Sequence, residues 1–346
     1  MLRFWGVLGL GLAMMGAVSA QEPLPCPVRP QMLLYLQRQR GVCAELILTQ
    51  PYIPGRVFTS IAADADGVLY IAEPSAGVVW TATDTDSDAV PDALRPLLTG
   101  LEAPASLLLH AGTLYITGGR RLYAYDGQAL LTLRDDLPVE AGRAARLLTV
   151  HEGRLLLSVG GCRGCAEAGR VISLALNGSD EMTLLTSVDV LAALSGGRLY
   201  LTTGGGEDAL WAWEPGQAPR LVMRFGFGAE PTALLRYDGA AFPQFQNHVL
   251  VMLAGTELTQ YPHGFSLMAV EDLGEAVMRA SSIVPSAHDT PAVSVPLGQV
   301  YANPPAEKFN HISGGLAPQR LGGLAVDARG WIYLLLARGS VILLRP

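Results

Sequence analysis

The stretch Asp64-Ala-Asp-Gly-Val-Leu-Tyr70 sets a pattern for the whole chain: a polar turn ending in glycine, then an apolar strand that often carries tyrosine. Copies of its second half follow at Gly112-Thr-Leu-Tyr115, Gly153-Arg-Leu-Leu156, Gly197-Arg-Leu-Tyr200, Asn247-His-Val-Leu250 and Gly330-Trp-Ile-Tyr333. The six starts are 45, 41, 44, 50 and 83 residues apart. A strand-based repeat of roughly 40 to 50 residues is typical of a β-propeller blade. The sequence therefore predicts an all-β fold with six blades.

The sequences on either side of each copy repeat as well. An apolar strand precedes the turn, as at 58–63, 105–109, 146–150 and 323–326, and a further strand follows the central one, as at 78–82 and 121–125. Glycine or aspartate in the turn tolerates the positive φ that a tight hairpin requires. We therefore expect four-stranded antiparallel blades across residues 42–346. Residues 28–40 alone have the apolar spacing of a short helix.

Residues 1–20 have the composition of an export signal. Arg3 is followed by an apolar run over 4–18, and small residues precede Gln21. This pattern predicts a signal peptide that is cleaved before Gln21, leaving 21–41 as an N-terminal segment ahead of the propeller. No later stretch is long and apolar enough to span a bilayer. We expect a secreted or periplasmic protein.

The charge balance excludes some classes of partner. The formal net charge is −7, and charged residues make up only 16% of the chain. An acidic protein of this kind is a poor match for nucleic acid or for an anionic membrane surface. The composition favours a small neutral or cationic ligand.

Four cysteines in an exported chain predict two disulfides. Cys26 and Cys43 flank the N-terminal segment, and Cys162 and Cys165 form a C-x-x-C motif. Haem attachment would require histidine at position 166, where the chain has alanine, and a zinc site would require a second C-x-x-C. A structural role for all four is the favoured interpretation.

One group of acidic residues has the spacing of a metal loop: Asp84, Asp86, Asp88 and Asp92. Alternating aspartates place several hard oxygen atoms on one side of a tight turn, which suits calcium with its 6 to 8 ligands. The glycine usual at the sixth position is replaced by Ala89, and the twelfth position is Arg95 instead of glutamate. Two interpretations stay open, a structural calcium site and a solvated acidic hairpin loop.

Six stretches from about residue 42 onward share their order and approximate spacing with a known family: 61–70, 84–92, 99–104, 157–165, 237–243 and 320–327. Together they resemble the soluble quinoprotein sugar dehydrogenases, in particular the sorbosone dehydrogenase-like branch. The resemblance implies a six-bladed propeller that binds pyrroloquinoline quinone (PQQ) and calcium at the mouth of its channel and oxidises aldoses or related alcohols. In that chemistry a histidine removes the hydroxyl proton while a hydride passes to the quinone, and arginines hold the carboxylates of the cofactor.

The resemblance also implies site residues. Arg320 falls on a family arginine near the channel, and Arg146 matches another after a one-residue shift, so both are expected to bind the cofactor. The place of the catalytic histidine is taken by Gly142-Arg-Ala-Ala145, so the expected base is missing there.

The remaining histidines fall into two sets. His110, His151 and His248 lie at hairpin turns and are expected to be surface turn residues. His263, His288 and His311 lie in the long interval 254–319, which we expect to fold over the channel mouth. His311, shortly before Arg320, is the candidate for a replacement catalytic base.

Two functions from different classes are consistent with the sequence. The first is a secreted quinoprotein oxidoreductase for a sugar or a sugar-derived alcohol. The second is a propeller without catalytic activity that binds a small ligand or a protein partner. A lactonase-type hydrolase would need an Asn, Asp and Glu set around calcium in the channel, which the repeat positions do not supply. The fold by itself does not decide between these functions.

Overall fold

The structure is a computed structural model. It describes residues 26, 41–50, 53–139, 144–160, 169–188, 190–196, 198–204, 208–214, 216–225, 228–255, 266–272, 277–284, 293–296 and 321–346. The predicted signal peptide and nearly all of the N-terminal segment, including the possible helix over 28–40, lie outside these residues.

The described residues form 25 strands in six antiparallel sheets. Strand β1 (Cys43–Leu48) comes first in the chain. Blade 1 contains β2 (Ser60–Ala63), β3 (Leu69–Glu73), β4 (Val78–Thr83) and β5 (Ala93–Leu98). Blade 2 contains β6 (Pro104–His110), β7 (Thr113–Gly118), β8 (Arg121–Tyr125) and β9 (Leu130–Arg134). Blade 3 contains β10 (Arg146–His151), β11 (Arg154–Val159), β12 (Arg170–Ala175) and β13 (Met182–Thr186).

The second half of the chain continues the series. Blade 4 contains β14 (Val190–Gly196), β15 (Arg198–Thr203), β16 (Ala209–Trp213) and β17 (Arg220–Arg224). Blade 5 contains β18 (Pro231–Arg236), β19 (Val249–Leu253), β20 (Ser266–Asp272), β21 (Val277–Val284) and β22 (Val293–Pro296). Blade 6 contains β23 (Leu321–Val326), β24 (Ile332–Leu336) and β25 (Val341–Arg345), with β1 as its fourth strand. Short 3-10 helices occur at Pro74–Ala76 and Pro243–Phe245. The all-β, six-bladed prediction is confirmed.

Blade 5 differs from the predicted four-stranded pattern because it has a fifth strand, β22. This blade also changes the interpretation of the interval 254–319. Strands β20, β21 and β22 lie within that interval and belong to the sheet of blade 5. These parts of the interval are therefore blade structure and not a loop over the channel. Apart from Ala254 and Gly255, the rest of it lies outside the described residues.

The ring closes through β1, which pairs antiparallel with β25 in the register Cys43↔Arg345. An ion pair reinforces this closure, because Glu45 accepts a hydrogen bond of 2.9 Å from Nε of Arg345 and both side chains are buried. A disulfide joins Cys26 to Cys43, with the two Cα atoms 5.5 Å apart. The first and last of the described strands thus share one sheet. Cys162 and Cys165 lie outside the described residues.

Apolar side chains fill the space between neighbouring blades. Each of the six hydrophobic clusters combines residues from two adjacent blades, for example Leu69 of blade 1 with Leu335 of blade 6. Strands buried on both faces explain the high hydrophobic content of the chain. The core is therefore a ring of six layers around a central channel.

The repeated hairpin turns have a defined geometry. In blade 1, Asp64 accepts hydrogen bonds from the backbone N–H groups of Asp66 (3.0 Å) and Val68 (2.9 Å) and from the hydroxyl of Tyr70 (3.1 Å). Gly67 has φ of +83°, which glycine adopts without strain. Aspartate, glycine and tyrosine are thus spaced as the turn requires.

Asp327 has the same role in blade 6. Its carboxylate accepts hydrogen bonds from the N–H groups of Arg329 and Trp331, both at 3.0 Å, and from the hydroxyl of Tyr333 at 3.0 Å. The guanidinium of Arg329 adds a contact of 2.7 Å. Both oxygen atoms of the Asp327 carboxylate therefore accept hydrogen bonds from residues of this turn and its strand.

The three histidines lie beside hairpin turns, but they are half-buried and not the surface turn residues that the sequence predicted. His110 and His151 end their strands beside two-residue turns, and the turn residues Ala111 and Glu152 have φ of +48° and +49°. The imidazole of His151 also forms a 2.8 Å hydrogen bond between Nδ1 and Oγ of Ser195 in blade 4. His248 contacts the carbonyl of Gln246 at 3.0 Å.

Candidate functional site

The six inner strands, β2, β6, β10, β14, β18 and β23, surround a central cavity of about 660 Å³. The inner strands run in the same direction. For example, Thr59 just before β2 donates a 2.8 Å hydrogen bond to the carbonyl of Ala105 near the start of β6. We call the end of the cavity at which these strands begin the upper mouth. The hairpin turns described above lie at the opposite, lower face.

Most hydroxyl groups along the cavity hold neighbouring blades together. Oγ of Ser60 accepts the N–H of Leu107 at 3.0 Å, and Oγ of Ser106 accepts the N–H of Leu147 at 3.2 Å. These side chains satisfy backbone groups that no strand partner reaches. They are structural and are not free to bind a ligand.

Arg146 is the only ionisable side chain among the described residues that line the cavity. It begins β10 and therefore lies at the upper mouth. The remaining lining is alanine, glycine, branched aliphatic residues, one phenylalanine and a few hydroxyl side chains. A guanidinium in such surroundings attracts an anionic group, which it can bind with paired hydrogen bonds.

Thr232 of β18 also lines the cavity and was not singled out by the sequence. Its Oγ1 is shielded from solvent and makes no hydrogen bond within the described part of the chain. Its position in the repeat could have pointed to Thr232 from the sequence. The residues at the start of the other inner strands are mainly small or aliphatic, so a threonine there stands out.

The acidic loop between β4 and β5 brings three of its four aspartates together. Oxygen atoms of Asp84, Asp86 and Asp88 all lie within 4.8 Å of one another. Asp92 lies apart from them and instead accepts hydrogen bonds from Thr85, including one of 2.6 Å from its N–H. These bonds lower the pKa of Asp92. The candidate ligand set is therefore three aspartates.

The backbone of this loop already has a compact form. Ala89, which occupies the glycine position, has φ of +77°, and its N–H donates to Asp84 at 2.8 Å. The loop follows the third strand of its blade and therefore lies at the lower face, away from Arg146. A calcium ion here would be separate from a ligand at the upper mouth.

Other predicted site residues lie outside the described residues. These are Arg320, His263, His288 and His311. Among the lining residues that the structure does describe, none is histidine, aspartate or glutamate. Of the two predicted cofactor residues, Arg146 alone lies within the described part of the chain, and it lines the cavity.

A buried acid lies on the same side of the ring as the upper mouth. Asp208 follows the loop after β15 and is 3% exposed. Burial raises the pKa of its carboxyl group, while hydrogen bonds from the N–H groups of residues 228–230 oppose that rise. Since these bonds hold the turn before β18, we assign Asp208 a structural role.

Comparison with known proteins supports the fold. No protein-family model matches the chain, and no curated protein matches it by sequence. Among solved structures, a calcium structure of a Trichoderma reesei enzyme of carbohydrate-active family AA12 superimposes with a TM-score of 0.55 at 16% identity, covering 90% of this chain and 96% of that one. These values show the fold alone.

Two further structures share the six-bladed architecture. The holo PQQ domain of pyranose dehydrogenase from Coprinopsis cinerea has a TM-score of 0.57 at 12% identity, covering 90% of this chain and 97% of that domain. A gluconolactonase from Xanthomonas campestris also has a TM-score of 0.57 at 12% identity, with coverage of 89% and 90%. The fold is thus shared by PQQ-domain and gluconolactonase-like propellers. Within the described residues, no helix has the length and apolar character needed to cross a membrane.

Proposed function

We propose that the protein is a secreted quinoprotein-type propeller that oxidises a sugar or a sugar-derived alcohol at its upper mouth. The observation that carries this proposal is that Arg146 is the one charged side chain among the described residues of the cavity lining. The cavity volume of about 660 Å³ falls in the range of roughly 300–1,000 Å³ that is usual for small-molecule sites. The family resemblance and the shared fold add support.

The residues present fit the acidic part of PQQ. The guanidinium of Arg146 would donate hydrogen bonds to a cofactor carboxylate, and the apolar lining would pack against the ring system. When bound, the quinone supplies the hydride acceptor for the oxidation. The chain itself must provide the group that removes the hydroxyl proton of the substrate. We assign that role to His311, with Arg320 as a second cofactor-binding arginine.

A second candidate function is favoured by a specific observation. The described lining of the cavity contains no histidine, aspartate or glutamate that would accept a proton. A propeller with Arg146 but without a base would bind an anionic ligand and leave it unchanged. In that case the protein is a binding protein with the same ligand site.

The test is a calorimetric titration of the mature protein with PQQ in the presence of calcium, followed by dye reduction with a panel of aldoses. Arg146→Gln removes the charge at the mouth, and Arg95→Gln on the exposed surface is the matched control. Because hydrogen bonds to charged groups contribute about 1.5–3 kcal/mol, we expect Arg146→Gln to weaken binding about 10- to 100-fold and Arg95→Gln to leave it unchanged. Binding with turnover supports the oxidoreductase, and binding without turnover supports the second function. Absence of saturable binding at micromolar PQQ contradicts the oxidoreductase and excludes PQQ as the ligand of the second function.

For the acidic loop we propose a structural calcium site formed by Asp84, Asp86 and Asp88. Bound calcium stabilises the folded state by mass action, so the unfolding midpoint should rise with calcium and not with an equal concentration of magnesium. Asp86→Asn should abolish this rise. Asp66→Asn, a surface aspartate in a neighbouring turn, should retain it. An equal response of both variants would contradict the assignment.

Export is the remaining part of the proposal. The protein should accumulate in the periplasm or the culture medium with Gln21 as its first residue. N-terminal sequencing of the mature protein measures this directly. Retention of residues 1–20 would contradict it.

A further inference from the structure

Four inner strands have a β-bulge at the upper mouth. The pairing register shifts between Pro104 and Ser106, Val190 and Ala192, Pro231 and Ala233, and Leu321 and Gly323. The residues at these shifts are Ala105, Leu191, Thr232 and Gly322, and all four line the cavity. Bulges often redirect a side chain beside a functional site. Thr232 is the only one of the four that offers a hydrogen-bonding side chain.

The Thr232 hydroxyl differs from the structural hydroxyl groups nearby. Thr59, Ser60 and Ser106 each bond to the backbone of the adjacent blade. Thr202 of β15 donates a 2.6 Å hydrogen bond to the carbonyl of Pro231, the residue just before Thr232. Oγ1 of Thr232 has no such partner in the described structure and is shielded from solvent. A buried hydroxyl without a partner is unfavourable, by about 1–3 kcal/mol.

Thr232 and Arg146 lie at the same depth in the cavity. Gly153 and Asn247 begin equivalent copies of the repeat, so positions can be counted from them. Arg146 pairs with Ser158, five residues after Gly153. Ala233 pairs with Met252, five residues after Asn247. Arg146 therefore corresponds to the residue next to Thr232, two blades around the ring. Both residues lie near the first position of their inner strands, at the upper mouth.

We propose that Thr232 is a ligand-binding residue of the upper mouth, acting together with Arg146 on one small organic anion that has a second hydrogen-bonding group. This proposal rests on the proposed function only in placing the ligand at the upper mouth. Arg146 binds the carboxylate, and the Thr232 hydroxyl binds the second polar group. Thr232 lines the cavity, and its Oγ1 is shielded from solvent, so binding a ligand would require a rotation about the Cα–Cβ bond that turns the hydroxyl to the cavity. That rotation would break no hydrogen bond, because the hydroxyl makes none in the described structure.

The experiment compares Thr232→Val with Thr202→Val, which remove a hydroxyl from the same residue type at nearly the same shape. Without ligand, Thr202→Val should lower the urea unfolding midpoint because it loses the bond to Pro231. Thr232→Val should leave the midpoint unchanged or raise it. Calorimetric titration then uses PQQ and, in parallel, D-gluconate as probes. We expect Thr232→Val to weaken probe binding about five- to tenfold, and Thr202→Val to bind as the wild type does.

The two probes separate this proposal from the proposed function. Gluconate binding that depends on Thr232, without PQQ binding, would overturn the quinoprotein function and support the role of Thr232. Unchanged binding by Thr232→Val for the probe that the wild type binds would overturn the role of Thr232. So would a loss of stability as large as that of Thr202→Val, since it would reveal a structural partner. Failure of the wild type to bind either probe overturns both.

Discussion

Replacement of Arg345 by methionine tests how the ring closes. The side chains of Arg345 and Glu45 are only 11% and 1% exposed, and they join β25 to β1. Oε1 of Glu45 accepts both contacts from the guanidinium, whereas its Oε2 is buried and has no hydrogen bond in the described structure. Removing the arginine leaves a buried carboxylate without its counter-ion. Breaking a buried ion pair in this way costs about 3–5 kcal/mol.

That loss is a large part of a typical stability of about 5–15 kcal/mol, so urea unfolding followed by tryptophan fluorescence should detect it easily. The double variant Glu45→Leu with Arg345→Met removes both charges. It should recover most of the lost stability, because apolar replacement of a buried pair is often neutral or favourable. A loss below about 1 kcal/mol for Arg345→Met would match an exposed ion pair and refute the buried closure. A double variant as unstable as the single one would refute the electrostatic explanation.

Three further predictions concern single groups. Burial and the nearby negative charge of Asp64 together raise the pKa of Tyr70 to about 12. The contribution of the Tyr70 hydroxyl to folding stability is therefore complete below about pH 10 and is lost as pH rises towards 12. Tyr70→Phe should lose less stability over that alkaline range; an unchanged pH profile contradicts this. Burial raises the pKa of the Asp208 carboxyl group, so the contribution of this group to folding stability is present at acid pH and declines as pH rises through that pKa. The free energy of unfolding of Asp208→Asn, relative to that of the wild type, should therefore be higher at pH 7 than at pH 3. The same difference at both pH values would contradict this. Replacing Cys26 and Cys43 by alanine should cost about 3 kcal/mol in urea unfolding, since the bridge closes 17 residues, while an unaffected variant would show that the bridge is absent.

The blade count was accessible to sequence reasoning because each blade repeats a turn with strict geometric needs. The Asp64–Gly67–Tyr70 pattern is visible in the sequence since aspartate caps the turn, glycine has positive φ and tyrosine bonds back to the aspartate. The fifth strand of blade 5 was missed because residues 254–319 contain no further copy of the turn. Without that signal, a long interval looks like a loop.

The candidate site was only partly predictable. Arg146 came from a family resemblance, and the structure places it at the cavity. Asp92 has the right spacing for a metal ligand, but its carboxylate is held by Thr85. Thr232 belongs to no sequence motif. What sets it apart is that its hydroxyl makes no hydrogen bond in the described structure, which only three-dimensional coordinates reveal. Spacing along a chain does not determine which hydrogen bonds a side chain makes.

A crystal structure of the mature protein with PQQ would test the central claim most directly. The account predicts electron density for the quinone at the upper mouth, with one carboxylate within hydrogen-bond distance of the Arg146 guanidinium. Density for the quinone elsewhere, or an empty upper mouth at PQQ concentrations that saturate the protein in solution, would contradict it.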